Sequence, residues 1–215
     1  MNTPNKITIS RIILIAITLL SLFVLSFFKD LQTPLLGNSG INLIFLIVAC
    51  VFIIAAFTDF LDGYLARKNN EVTNLGKFLD PIADKILINS LVILLIAPQF
   101  FAPYNHEQVV SFNIWCGVLL IVRDVIVDAL RFIAASKNVV IAANIFGKLK
   151  TVFEMVTISL ILLNGFPFYY FDASWYQGLH ITDFAVYITT AMSLISGIIY
   201  IVQNIKVFKD NKEKE

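Results

Sequence analysis

Long apolar runs separated by short polar connections dominate the chain. There are six of them, at residues 12–28, 41–57, 86–97, 114–135, 152–163 and 184–202. An α-helix rises 1.5 Å per residue, so about twenty apolar residues cross the hydrocarbon layer of a bilayer. The pattern therefore predicts an all-α integral membrane protein with six transmembrane helices.

The third and fifth runs, at residues 86–97 and 152–163, are too short to cross a bilayer on their own. We expect both helices to continue through the polar residues that adjoin them. Polar groups carried into a membrane are costly, and they commonly mark a functional site or a water-filled cavity. The polar residues that adjoin the two short runs are therefore candidates for a functional site.

The composition agrees with a membrane domain. The chain is 58% hydrophobic and only 14% charged, whereas soluble domains are roughly one quarter charged. No polar stretch is long enough to form a second core, so residues 1–215 are predicted to form a single domain. The net charge of +1 gives no indication of a nucleic-acid partner, which would need a strongly basic face.

The distribution of basic residues predicts the orientation. The connections at residues 29–40, 98–113 and 164–183 contain a single basic residue, Lys29, and the other fifteen lie elsewhere. Lysine and arginine are enriched in cytoplasmic connections. Both termini, the hairpin between the second and third helices, and the polar tail at residues 205–215 are therefore predicted to be cytoplasmic.

Four aspartates flank this cytoplasmic hairpin. Asp59 and Asp62 follow the second apolar run, and Asp80 and Asp84 precede the third. Residues three or four apart share one face of a helix, and antiparallel helices joined by a short turn bring such faces together. We therefore expect a carboxylate cluster at the cytoplasmic membrane surface.

Four converging carboxylates need compensating positive charge. Two divalent cations would supply it, and hard carboxylate oxygens suit Mg²⁺ or Mn²⁺. The alternative is a surface network with Arg67, Lys77 and Lys85, in which three bases would face four acids. Gly63 and Gly76 stand beside the acids, where a missing side chain would let a ligand approach the backbone. Glycines used only for helix packing are the competing interpretation.

Together these residues match a complete sequence pattern, D-x-x-D-G-x-x-A-R-x8-G-x3-D-x3-D. Its eight fixed positions are Asp59, Asp62, Gly63, Ala66, Arg67, Gly76, Asp80 and Asp84. The pattern closely resembles that of the CDP-alcohol phosphotransferase family. The resemblance implies a six-helix fold, commonly a homodimer, in which a CDP-linked lipid and an alcohol meet beside two metal ions.

The resemblance also implies roles for the matched residues. Asp59, Asp62 and Asp80 would bind metal, and Asp84 would bind metal and act as the general base. Gly63, Ala66, Arg67 and Gly76 would line the site of the CDP moiety.

An acceptor alcohol would need a site at the same membrane face. The polar side chains that we select for an acceptor phosphate are Thr8, Arg11, Arg123, Arg131, Lys148 and Lys150. Basic groups of this kind suit an acceptor that itself carries a phosphate. Anchoring of the cytoplasmic face by positive charge is an open alternative for several of them. Glu154, an acid within the fifth run, is expected to pair with Lys150 one turn earlier.

Three further stretches, at residues 4–11, 123–131 and 147–151, resemble the family members that use glycerol 3-phosphate as acceptor and CDP-diacylglycerol as donor. The chain departs from them at Asp124, where glutamate is usual, and at Ala16, where proline is common. The resemblance further implies a bacterial cell membrane.

Two rival hypotheses are considered. Within the family, the acceptor could instead be inositol phosphate, serine or another alcohol, because the four aspartates do not distinguish acceptors. A small membrane transporter is the hypothesis from another class. It would be favoured by an internal repeat or by broken helices in corresponding halves, and the sequence pattern contains neither.

Overall fold

The computed structural model describes residues 3–28, 34–36, 40–68, 73–98, 110–137, 145–168, 171 and 180–205. Within these ranges, the side chains of residues 3, 4, 66, 67, 74, 75, 77 and 78 are outside the description. Six helices run through the described residues: α1 Thr3–Leu25, α2 Leu43–Lys68, α3 Asn74–Ile96, α4 Ile114–Ser136, α5 Ile145–Leu162 and α6 Ile181–Asn204.

Each apolar run of the sequence falls largely within one of these helices. The two short runs do continue into polar sequence, because α3 begins at Asn74 and α5 begins at Ile145. The expectation that the third and fifth helices carry polar residues at one end is therefore confirmed. The tail at residues 206–215 lies outside the described residues.

Three of the six helices are long and apolar enough to cross a membrane, namely α1, α2 and α6. The helices α3, α4 and α5 do not meet the same measure, since charged residues such as Lys85, Arg123 and Lys150 lie within them. The structure thus confirms the all-α class and the six helices, while the six spans remain a prediction.

The helices expose apolar side chains on one face and bury them on another, as α1 illustrates. Ile13, Ile17 and Leu20 are exposed, whereas Ile15 and Leu22 are buried in the core. A soluble protein rarely leaves such a continuous apolar surface in water. This arrangement is that of a helix with a lipid face and a protein face.

Packing brings the polar ends of three helices together. The helix α1 packs against both α2 and α3, so its first turns lie beside the hairpin that carries the four aspartates. At the start of α3, the cap residue Thr73 accepts a hydrogen bond from the Gly76 amide and donates one to Asn5 of α1.

A second group is formed by α4, α5 and α6, in which α4 and α5 both pack against α6. The helix α3 contacts both α1 and α4, and it therefore lies between the two groups.

Candidate active site

Two side chains of α1 hold three of the four aspartates. The Thr8 hydroxyl lies 3.0 Å from a carboxylate oxygen of Asp62 and 3.0 Å from one of Asp80. The Arg11 guanidinium forms an ion pair with Asp59 and approaches an Asp62 oxygen at 3.7 Å. The structure therefore places three of the four carboxylates of the predicted cluster against α1.

The beginning of α1 is suited to this task because its polar residues recur every three positions. Asn5, Thr8 and Arg11 are all buried, although each is polar. Buried polar groups require partners, and the aspartates of α2 and α3 supply them. The sequence interpretation assigned Thr8 and Arg11 to the acceptor phosphate, whereas the structure places them against the acids. Their spacing was the signal that could have indicated a shared face.

The surroundings of the aspartates can be compared with those that a divalent cation needs. Among the described residues, no group of three acidic, histidine or cysteine side chains is arranged closely enough to share one ion. The donor chemistry is nevertheless suitable, because the oxygens are carboxylates and Asp62 and Asp80 converge on one hydroxyl. Arg11 supplies one positive charge to this cluster of carboxylates. The remaining negative charge would be neutralised by a further cation. The residues therefore fit a hard divalent ion in chemistry and in charge.

One of the three basic residues that are alternative partners for the aspartates, Lys85, has a partner outside the hairpin. Lys85 forms an ion pair with Asp128 of α4. The side chains of Arg67 and Lys77 lie outside the described residues, as does that of Ala66.

The two glycines of the pattern lie on the two helices of the hairpin, one near the end of α2 and one in the first turn of α3. Gly63 is in α2, directly after Asp62, and is half-buried. A Cβ placed on Gly76 would lie 3.0 Å from the amide oxygen of Asn5 and 3.2 Å from the Thr73 hydroxyl. A larger residue at position 76 would therefore press on the contact between α1 and α3.

A second polar region is a pocket of about 230 Å³ between α3, α4, α5 and α6. Its charged lining comprises five basic and three acidic residues: Lys85, Arg123, Arg131, Lys148, Lys150, Asp84, Asp124 and Asp128. Four of the six residues predicted for the acceptor phosphate are among them. Thr8 and Arg11 are not among the lining residues that the structure describes. The pocket is of a size and net charge that suit a small anion.

Lys150 lies at the buried end of this pocket and is held by two acids. Its ammonium group contacts both carboxylate oxygens of Asp124, at 2.9 and 2.8 Å, and one oxygen of Glu154, at 2.5 Å. The pairing of Lys150 with Glu154, expected from their spacing, is confirmed. A lysine has three N–H donors, and three acceptors surround this one. Lys150 thus acts as an internal counter-ion.

Arg123 and Arg131 extend from α4 to α6. The Nε of Arg123 donates to the Ser193 carbonyl at 3.1 Å, and the Nε of Arg131 donates to the Tyr200 hydroxyl at 3.2 Å. The Arg131 guanidinium also lies 5.4 Å from the centre of the Tyr200 ring. Lys148 is exposed and forms no ion pair with the described residues.

Asp84 connects the two polar regions. It lines the basic pocket, and it lies one helical turn after Asp80, which is bonded to Thr8 in the carboxylate cluster. Its electrostatic neighbours include Asp59 and Arg11 on one side, and Lys150 and Asp124 on the other. A carboxylate in this position can reach groups bound in either region.

The chain resembles several proteins of known name. Residues 1–202 match the family described as CDP-alcohol phosphatidyltransferase. Three relatives carry the name CDP-diacylglycerol–glycerol-3-phosphate 3-phosphatidyltransferase. The Bacillus subtilis protein is 36% identical over 209 residues, which is 97% of each chain. The Mycoplasma pneumoniae protein is 35% identical, with 96% of this chain and 88% of that protein covered. The Rickettsia bellii protein is 31% identical, with 93% of each covered.

The family match extends over all six helices except the end of α6, and it includes every aspartate of the hairpin. Three of these helices are apolar enough to cross a bilayer, so the chain is a membrane protein. By the extent of the match and the identity to full-length relatives, the chain belongs to the CDP-alcohol phosphatidyltransferase family.

Proposed function

We propose that this protein transfers a phosphatidyl group from CDP-diacylglycerol to glycerol 3-phosphate, a step of phospholipid biosynthesis that yields phosphatidylglycerol phosphate and CMP. The names of its relatives support this activity. The observation that carries it is the position of Asp84, which stands on the wall of a basic pocket one turn from the carboxylate cluster. An anionic acceptor and a nucleotide-linked donor would meet at that residue.

The reaction is a displacement at phosphorus. The acceptor hydroxyl forms a bond to the phosphorus that carries the diacylglycerol, and the bond from that phosphorus to CMP breaks. Asp84 takes the hydroxyl proton, since it is the one of the four hairpin aspartates that lines the acceptor pocket. The pocket holds the acceptor beside the donor, so the attack becomes a reaction between two bound groups rather than an encounter in solution.

Asp59, Asp62, Asp80 and Asp84 are proposed to hold two divalent cations, Mg²⁺ or Mn²⁺. When bound, such ions neutralise pyrophosphate charge and stabilise the departing CMP. Thr8 and Arg11 of α1 would orient these metal-binding carboxylates, as residues that hydrogen-bond to metal ligands commonly do.

Gly63, Ala66, Arg67 and Gly76 are proposed to border the CDP moiety, because they flank the aspartates on the α2–α3 hairpin. The small residues would let the nucleotide approach the backbone.

The acceptor phosphate is assigned chiefly to Arg131 and Lys148, with Arg123 beside them. These side chains line the pocket and are not enclosed by carboxylates in the way that Lys150 is. Lys150 is assigned a positioning role instead, because its ammonium group is hydrogen-bonded to Asp124 and forms an ion pair with Glu154.

Replacing either of the two principal phosphate ligands should weaken acceptor binding. In Arg131→Met and in Lys148→Met, we expect the KM for glycerol 3-phosphate to rise roughly tenfold, since a hydrogen bond to a charged group is worth about 1.5–3 kcal/mol. The KM for CDP-diacylglycerol should stay within about twofold. Lys137→Met, at the end of the same helix as Arg131 but outside the pocket lining, serves as the control. An unchanged acceptor KM in both variants would refute the assignment.

The membrane topology and assembly are part of the proposal. The scarcity of basic residues in the connections at 29–40, 98–113 and 164–183 supports a multi-pass protein with both termini and the active site cytoplasmic. The family resemblance supports a bacterial cell membrane. Protease access to the tail in sealed inside-out vesicles checks this orientation. A homodimer, as the family resemblance implies, is checked by the mass of the purified protein in detergent.

The activity is tested with purified full-length protein, CDP-diacylglycerol and Mn²⁺ or Mg²⁺. We expect CMP release with glycerol 3-phosphate and little release with serine or inositol phosphate. Omitting the metal and adding EDTA should abolish the release, and restoring Mn²⁺ should recover it. Release with serine or inositol phosphate but not with glycerol 3-phosphate would overturn the choice of acceptor. No release with any alcohol would redirect attention to transport.

A further inference from the structure

On the α6 side of the basic pocket, the lining residue Arg123 packs against a glycine. A Cβ placed on Gly197 would lie 3.0 Å from Cγ of Arg123 and 3.2 Å from its Nε. Carbon atoms in favourable contact lie about 3.5–4.0 Å apart, so a methyl group at this position would press on the arginine stem. The stem of Arg123 therefore rests directly on the backbone of α6.

Hydrogen bonds hold the Arg123 guanidinium in this place from three directions. Its Nε donates to the Ser193 carbonyl at 3.1 Å, and its NH2 group donates to the Ser196 hydroxyl at 2.8 Å. Its NH1 group donates to Asp124 at 3.0 Å. A methyl group on residue 197 would be accommodated by a shift of the arginine, and that shift would distort the geometry of these bonds.

We infer that Ser193, Ser196 and Gly197 form an arginine seat that sets where the Arg123 guanidinium stands on the pocket wall, and thereby sets the affinity for a phosphorylated acceptor. This inference rests on the proposed function. Arg123 and Ser196 both line the pocket, so the seat and its occupant belong to the wall that an acceptor would face. Three of the five N–H donors of Arg123 are used in the bonds described, and two are left for a ligand.

The position of Gly197 inside α6 indicates that glycine is required there for a structural reason. It lies within the last third of a helix that continues to Asn204. Glycine is unfavourable in a helix relative to alanine. Its presence here is explained if the space above it is occupied by the arginine stem.

Close packing of α4 on α6 is the competing explanation for Gly197, and the chain provides a matched control for it. Gly117 lies in α4, where a Cβ would be 2.5 Å from Cδ1 of Ile96 in α3. That glycine faces an apolar side chain remote from the pocket lining, so it represents packing alone. The substitution Gly117→Ala should lower the Tm and leave the KM for glycerol 3-phosphate unchanged.

The test measures CMP release by the full-length protein against the concentration of each substrate. We expect Gly197→Ala to raise the KM for glycerol 3-phosphate roughly tenfold, as for the loss of one bond from a charged donor. The kcat and the KM for CDP-diacylglycerol should change by no more than about twofold. The Tm should fall less than in Gly117→Ala, because the closest Cβ contact is 3.0 Å rather than 2.5 Å and alanine favours the helix.

A double substitution tests whether Gly197→Ala changes the acceptor KM through Arg123 or through another contact. Arg123→Lys removes the guanidinium that the seat holds, so adding Gly197→Ala to it should raise the acceptor KM no further. Increases that multiply in the double variant would overturn the inference. So would an unchanged acceptor KM in Gly197→Ala, or a fall in kcat and Tm like that expected from lost packing.

The proposed function can fail independently of the seat. A wild-type protein that releases CMP only with an alcohol that lacks a phosphate overturns the proposed acceptor. If the KM for that alcohol is then unchanged in Gly197→Ala, the seat is overturned as well.

Discussion

In the variant Asp84→Asn, we expect kcat for CMP release to fall by about a thousandfold or more. The amide cannot take the acceptor proton, and general base catalysis alone contributes roughly 10²–10⁴-fold. An amide is also a weaker ligand than a carboxylate for a divalent ion. Because asparagine has nearly the same shape and Asp84 is only half-buried, the fold should be retained. Release of CMP, together with the circular dichroism and Tm of the same preparation, provides the measurement.

The control for this variant is Asp183→Asn, in the first turn of α6. It makes the same chemical change at a carboxylate that bonds the His180 amide and does not line the basic pocket. We expect its kcat to stay within about twofold of the wild type, since Asp183 acts in the cap of α6 and is not part of the described pocket lining. If Asp84→Asn retained the wild-type kcat, Asp84 would not be the base and the proposed reaction centre would have to be abandoned.

The helices and the hairpin were predictable from the sequence for a simple physical reason. The apolar runs indicate where helices lie, and the spacing of Asp59 and Asp62 places both on one face of α2. Local spacing also predicted the pair formed by Lys150 and Glu154, which the structure confirms. All these relationships are within one helix or across one short turn.

The contacts between helices distant in sequence were less predictable. The periodicity of Thr8 and Arg11 shows that they share a face of α1, but it does not say which helix that face meets. The electrostatic argument from four unpaired acids therefore omitted Arg11, which supplies a positive charge from α1. A basic residue near a family pattern can bind a substrate or hold a ligand in place, and only its packing distinguishes these roles.

The role of Lys150 changed for the same reason. Its position beside Lys148 suggested that both lysines would face an anionic acceptor. In the structure Lys148 is exposed, whereas Lys150 is 3% exposed and lies between Asp124 of α4 and Glu154 of its own helix. Two residues apart on a helix lie on different faces, so neighbouring lysines can have separate tasks.

Replacing Lys150 by methionine should have the largest effect on stability. The substitution leaves the Glu154 carboxylate buried without its cation and leaves Asp124 with Arg123 alone, and breaking a buried ion pair by removing one partner typically costs about 3–5 kcal/mol. For a chain of this size we expect the Tm to fall by roughly 10 °C. Thermal unfolding of the purified protein in detergent, followed by circular dichroism or tryptophan fluorescence, measures the change.

Lys148→Met is the matched control, because it removes the same charge two residues earlier from an exposed position. Its free energy of unfolding should change by less than about 0.5 kcal/mol, although its acceptor KM is expected to rise. Adding Glu154→Gln to Lys150→Met removes the carboxylate that has lost its cation and should recover part of the lost stability. Equal Tm values for the two lysine variants would show that Asp124 and Glu154 do not depend on Lys150. In that case the lysine would be free to serve the acceptor after all, and the separation of structural and binding cations in the pocket would fail.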